Sequence, residues 1–234
     1  MMQTMLDTLN RELPQLGLDL EEGVKKTLCD FGCAVVKQNE VMNLTAITEP
    51  EKVARLHLLD SLTLLTLENF KGKTVIDVGC GAGFPGVPLK IACPEAKLTL
   101  LDSLGKRMNW LESFLPTLGV TARYITARAE EAVTEHREKF DYATSRAVAR
   151  LNILLELTAP YVRVGGKVLA MKGTAALEEL EEAKGAIQKL GLQVETVKQF
   201  PIEDTGHTVI VLKKVRHTPP QYPRRYAQIK KSPL

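Results

Sequence analysis

The densest chemistry in this chain lies in Asp77-Val78-Gly79-Cys80-Gly81-Ala82-Gly83-Phe84-Pro85-Gly86, directly after the apolar run Val75-Ile76. Four glycines fall within the eight residues 79–86. Glycine lets backbone turn sharply and approach a ligand closely, and a helix that starts there aims its free N–H groups at it. Pro85 suits the first turn of that helix, where no N–H partner is needed. Gly81-x-Gly83-x-x-Gly86 matches the dinucleotide fingerprint letter for letter. Two features oppose that match. Its glycines stand two residues beyond the place where the strand should end, and the helical stretch before it is too short for a dehydrogenase's catalytic domain.

A second acid sharpens the reading. Asp102 closes the run Leu98-Thr99-Leu100-Leu101, where a carboxylate reaches ribose hydroxyls; the same residue also suits a helix cap before Lys106. A loop with no pyrophosphate to cradle, followed by such an acid, fits S-adenosylmethionine better than a dinucleotide. Glu130, in Ala127-Arg128-Ala129-Glu130 after the third strand, either meets the adenine's exocyclic amine or is a solvated surface residue. Lys172 follows the fifth strand and is placed to contact a phosphate. Cys29 and Cys33 stand at i, i+4, while Cys80 and Cys93 stand alone, with no CxxC pair. They read as packing residues, and no metal site is expected. His57 has no metal-spaced partner and reads as structural, on one face of an amphipathic helix.

The elements that position these residues follow from periodicity. Helices are expected over Thr4–Leu13 and Leu20–Lys37, the latter with Val24, Leu28, Phe31 and Val35 at helical spacing. A third runs to about Leu67, with Thr48 and Glu51 in a capping-box pattern. Strands are expected at Thr74–Val78, Leu98–Leu101, Arg123–Thr126, Phe140–Thr144 and Lys167–Met171. Helices alternate with them at Pro85–Ala92, Lys106–Leu118, Leu151–Tyr161 and Ala175–Leu190. Gln193–Lys198 and Thr208–Lys213 close the series without a helix between them, which favours an antiparallel pair at the sheet's edge. The expected fold is α/β: a doubly wound, Rossmann-like sheet with an antiparallel edge hairpin and an N-terminal helical extension. The expected divisions are 1–70 for the extension, 71–215 for the cofactor-binding domain and 216–234 for a basic tail.

The chain has 234 residues, 44% hydrophobic and 25% charged, ordinary values for a soluble globular protein. No export signal or membrane span is expected, and the cytoplasm is the expected compartment. Net charge is +3, but Lys213–Leu234 holds seven bases and no acid, so 24 bases face 28 acids in the rest. A basic tail on an acidic body suggests a polyanionic partner. Tyr222 and Tyr226 lie among Arg224 and Arg225, where nucleic-acid bases can stack on their rings.

Several separated motifs, in the same order, closely resemble the RsmG (GidB) family of ribosomal RNA methyltransferases. They are Asn43-Leu44-Thr45-Ala46-Ile47, His57 to Leu62, Asp77 to Gly86, Leu101 to Arg107, Ser145-Arg146-Ala147 and Tyr222-Pro223-Arg224-Arg225. The resemblance implies transfer of a methyl group from S-adenosylmethionine to N7 of a guanine in 16S ribosomal RNA, acting on the RNA or the small ribosomal subunit. With no obvious heptad or apolar surface helix in the sequence, a monomer is expected. The resemblance also implies cofactor contacts by Gly79, Phe84, Asp102, Ala129, Glu130 and Arg146. From their position and charge, Lys172, Arg224 and Arg225 are expected to contact RNA. N7 carries an in-plane lone pair, so in-line attack needs no general base, and catalysis rests on positioning. Other methylation chemistries fit poorly. Cytosine C5 transfer uses a cysteine nucleophile after proline, but only the reversed Cys93-Pro94 occurs. Adenine amino transfer goes with an Asn/Asp-Pro-Pro-aromatic run after the fourth strand, where Ser145-Arg146-Ala147-Val148 stands instead. Arg146 is the expected catalytic residue, orienting the cofactor carboxylate or donating to guanine O6; a salt bridge to the N-terminal helices is the competing role. The alternative function is a non-catalytic RNA-binding or ribosome-assembly factor with a retained methyltransferase fold.

Overall fold

The computed structural model describes residues 1–202 and 206–234. Helix α1 spans Met2–Glu12 and α2 Glu22–Met42. Leu28, Phe31 and Val35 of α2 are fully buried, as their spacing requires. The helix stops at Asn43, whose φ of 50° is one that asparagine tolerates. The third helical stretch is irregular. A short α3, Pro50–Val53, passes through a π-helical turn, Ala54–Leu59, into α4, Asp60–Leu62, and a 3-10 turn, Thr63–Thr66. Thr48 does not cap it; Glu49 is the cap residue, without a side-chain bond, and Pro50 fills the first turn. The fixed proline φ moves the start past the expected capping box.

Then follow β1 Thr74–Val78, α5 Gly86–Ala92, β2 Lys97–Asp102, α6 Gly105–Phe114, β3 Arg123–Thr126, α7 Ala129–His136 and β4 Phe140–Arg146. The chain continues through α8 Leu151–Thr158, β5 Val162–Lys172, α9 Ala176–Glu182, α10 Lys184–Lys189, β6 Leu192–Phe200, β7 His207–Lys214 and α11 Tyr226–Lys231. The sheet order is β3-β2-β1-β4-β5-β7-β6. All pairs are parallel except β5–β7 and β6–β7, which form the expected antiparallel edge. Strand β5 begins earlier than expected because Gly165-Gly166 continues it through a register shift opposite Phe140/Tyr142. A Cβ at Gly166 would stand 2.4 Å from the Asp141 carbonyl, so only glycine fits there. The helix expected over Ala175–Leu190 breaks at Ala183 into α9 and α10.

Alternating residues of each strand serve opposite layers. Val209 and Val211 face one core with Leu98, Leu100 and Leu169, while Ile210 and Leu212 face the other with Val168 and Ala170. Leu9, Leu28 and Phe31 share the first core with Val87, Leu100 and Leu111. The N-terminal helices are thus packed onto the sheet as one of its layers. The stretch read as a basic tail also folds back. Ile229 is fully buried, worth about 1.5–3 kcal/mol. Arg224 binds Glu156 of α8 through its backbone N–H, Nε and Nη2, at 2.9, 2.8 and 2.6 Å. Among the described residues no helix is long and apolar enough to cross a membrane.

Candidate functional site

The β1–β4 centre of the sheet is where connections diverge to either side, and its carboxyl end opens into a cavity of about 820 Å3, a volume within the range of small-molecule sites. Two acids shape the glycine loop at its floor. Asp77 is fully buried, and its Oδ2 accepts the Gly86 N–H at 2.7 Å. Its other oxygen has no hydrogen-bond partner, and burial pushes its pKa up to about 7, with the Gly86 bond and Arg146 opposing. Asp102 Oδ2 accepts the Gly81 N–H at 2.9 Å, while Oδ1 accepts the Leu104 N–H at 2.9 Å. Each oxygen keeps a lone pair for a ligand hydroxyl, so the capping and ribose-binding roles are compatible.

Gly79 has φ 71°, and a Cβ on it would lie 2.5 Å from Val148 Cγ2. The backbone runs so close to the β4–α8 connection that a side chain is excluded. Gly79 therefore lines the cavity with bare peptide backbone.

Phe84 and the π-helical turn build the adjoining wall. The His57 ring stacks on Phe84 with centroids 4.7 Å apart, and the Arg146 guanidinium lies 5.1 Å from the Phe84 centroid. Arg146 Nη1 donates to the Leu56 carbonyl at 2.7 Å and to Asp60 Oδ2 at 2.8 Å; Nη2 is 3.2 Å from His57 Nδ1. Asp60 Oδ1 meets His207 Nδ1, from the first residue of β7, at 2.9 Å. Burial opposes the Asp60 charge, but bonds from His207 and Arg146 win and hold its pKa below the usual value. Burial and the Arg146 charge push the His57 pKa down to about 4, so the imidazole is neutral at pH 7. π-turns insert an extra residue into a helix and often mark functional sites; here the turn carries Leu56 and His57, with Asp60 just after it.

The cavity brings together Gly79, Phe84, Asp102, Arg146 and Lys172. Ala129 and Glu130 lie at the start of α7 and are not among its lining residues. Lys172 is already paired within the protein: its ammonium is 2.8 Å from Glu179 Oε2 and 2.5 Å from the Ala149 carbonyl, with the side chain 7% exposed. It ties β5 to α9 and is not a free phosphate contact. Arg224 is likewise spent on Glu156, whereas Arg225 is exposed. Arg146 makes the salt bridge weighed as its competing role, and still lines the cavity. The sequence placed Thr45, Asp60 and Asp77 within motifs but gave none of them a role of its own, passed over His207 and left His57 as structural. Asp60 stands three residues after His57 on a helix, a spacing that places two polar groups on one otherwise apolar face. His207 gives no sequence signal, because only the β5–β7 pairing carries it to the site.

The fold has a counterpart in the crystal structure of TYW2 from M. jannaschii in complex with AdoMet. The TM-score is 0.55 at 14% identity, covering 68% of this chain and 76% of that one. The class of fold is thereby defined as Rossmann-like. The family model for rRNA small subunit methyltransferase G (GidB) matches residues 25–207. Ribosomal RNA small subunit methyltransferase G of Alkaliphilus metalliredigens is 42% identical, covering 94% of this chain and 95% of that protein. The protein of the same name from Halalkalibacterium halodurans is 45% identical, covering 96% and 97%. This chain belongs to the rRNA small subunit methyltransferase G family and is a methyltransferase.

Proposed function

We propose that this chain methylates N7 of a guanine in the 16S ribosomal RNA of the small subunit. Family membership supplies the substrate class. The observation that carries the chemistry is that the cavity's titratable groups are spent on one another or on backbone. Asp60 is held by Arg146 and His207, Lys172 by Glu179, and Asp102 by two peptide N–H groups. Both ring nitrogens of His57 are in contact with protein groups. Among the described residues no base is poised there to remove a proton, and guanine N7 needs none removed. What the residues provide is orientation, which supplies about 7–11 kcal/mol when reacting atoms are well aligned.

The residues fit the cofactor. The Gly79 cradle would carry its methionine end, Asp102 its ribose hydroxyls and Phe84 its apolar contacts; Ala129 and Glu130 would meet the adenine beyond the cavity's lining. When bound, S-adenosylmethionine supplies an electrophilic methyl group on a sulfonium. Arg146 uses three of its five N–H groups on Leu56, Asp60 and His57. Its remaining donors suit an anionic carboxylate or a carbonyl such as guanine O6. Arg225 and the exposed lysines of α11 would meet phosphate. We place the enzyme in the cytoplasm, acting as a monomer, with 1–70, 71–215 and 216–234 as its functional divisions.

The test is incubation with methyl-labelled S-adenosylmethionine and small subunits lacking the modification, followed by nucleoside analysis. Label in 7-methylguanosine is the expected result. Cofactor binding without any label would favour the non-catalytic assembly factor instead.

A further inference from the structure

Thr45 lies on the connection between α2 and α3 and lines the cavity with the glycine loop. Asn39 Oδ1 fixes it by accepting its peptide N–H at 2.8 Å. Its Oγ1 accepts the Ile47 N–H at 3.0 Å and stands 2.8 Å from His57 Nε2. The direction of this last bond is decided by Arg146. A guanidinium has donors only, and the Nη2 donor points at His57 Nδ1 from 3.2 Å. A proton on Nδ1 would set two hydrogens face to face. The Leu56 carbonyl, the other group near Nδ1 at 3.1 Å, takes the shorter bond from Arg146 Nη1 at 2.7 Å, and its second lone pair would not relieve the opposed Nη2 hydrogen. The neutral ring therefore carries its hydrogen on Nε2 and donates it to Thr45. A hydroxyl has two acceptor lone pairs and one hydrogen. Both lone pairs of Thr45 are filled, and only its hydrogen is left.

Resting on the guanine-N7 reading, we propose that Thr45 is a specificity residue whose hydroxyl, committed as a donor, bonds O6 of the target guanine. Beside N7, guanine presents the O6 acceptor where adenine presents the N6 amino donor. A donor-only hydroxyl pairs with the first and leaves two donors opposed with the second. An unmade bond of this kind costs about 1–3 kcal/mol, or about 5–150-fold in selectivity. The remaining Arg146 donors are then left for the cofactor carboxylate.

The test uses small subunits reconstituted with 16S RNA carrying guanosine, inosine or 2,6-diaminopurine riboside at the one mapped position. Inosine keeps O6 and N7; diaminopurine keeps N7 but replaces O6 with an amino group. For wild type and Thr45→Ser, kcat/KM should be similar for guanosine and inosine and far lower for diaminopurine. Thr45→Val should narrow the guanosine-to-diaminopurine ratio about 5–150-fold. Because the ratio is taken within one preparation, a reduced folded fraction does not move it, and Thr45→Ala provides the same comparison without a branched side chain. An unchanged ratio in the variants lacking the hydroxyl overturns the assignment while leaving guanine-N7 methylation standing. If wild type places no label in 7-methylguanosine, the reaction reading fails and the Thr45 assignment fails with it.

Discussion

Arg146 Nη1 donates to Asp60 Oδ2 across 2.8 Å of space and 86 residues of sequence. The pair joins the end of β4 to the N-terminal layer at the cavity wall, so the layer that precedes the Rossmann-like sheet forms part of the site.

Asp60 is 2% exposed, and removing it leaves Arg146 with an uncompensated charge. Asp60→Ala should cost about 3 kcal/mol, the lower end for a broken buried pair, because the Arg146 side chain keeps 17% exposure. Urea denaturation measures it; a loss below 1 kcal/mol would show that the pair contributes little.

Arg146→Lys preserves the charge but not the planar fork that reaches Leu56, Asp60 and His57 together. Methyl transfer should fall at least about tenfold, and Arg146→Ala should do no better. Activity equal to wild type in both would remove Arg146 from the site.

Gly79→Ala faces two obstacles, a φ of 71° and a contact of 2.5 Å with Val148 Cγ2. Cofactor affinity, read by calorimetry, should fall more than about tenfold, since the left-handed backbone alone costs about 1–2 kcal/mol. Adding Val148→Ala relieves the collision but not the φ, so recovery should be partial. Full recovery would mean that backbone conformation does not matter here.

Burial raises the Asp77 pKa from 3.8 to about 7. The folded chain keeps a proton that the unfolded chain releases. The stability Asp77 contributes is therefore full below pH 4 and lost as pH rises through 7. Asp77→Asn, permanently neutral and of the same shape, should lack this slope. The difference between the two denaturation curves from pH 4 to 8 isolates Asp77 from Glu12, Glu138 and Asp141, whose lowered values act in the opposite direction. Parallel curves would contradict the assignment.

The basic C-terminal segment should divide by partner. Arg224→Ala leaves the wholly buried Glu156 carboxylate unpaired and should cost about 3–5 kcal/mol of stability. Arg225→Ala, at an exposed position, should leave stability unchanged and lower the salt slope of RNA binding by about one counterion. Lys172→Ala, its ammonium already paired with Glu179, should not change that slope. A salt-slope change with Lys172→Ala and none with Arg225→Ala would reverse this division.

The sequence by itself determined the alternation of strands and helices, the glycine loop, the acid at the end of β2 and the antiparallel edge. Each depends on local rules: apolar periodicity, glycine's tolerance of positive φ, and the closeness of two strand-like runs. The RsmG-like motifs added the chemistry those elements serve. Only the tertiary structure decided which polar groups are free and which are spent. Lys172 and Arg224 read as available cations, yet Glu179 and Glu156 neutralise them through packing between elements. Asp60 and His207 are 147 residues apart, and neither carries a local mark of the other. Their meeting depends on sheet order and on the layer laid over it, as does the hydrogen-bond direction at Thr45. Long-range pairing of buried polar groups is set by what burial forces them to satisfy, and no spacing along the chain encodes that.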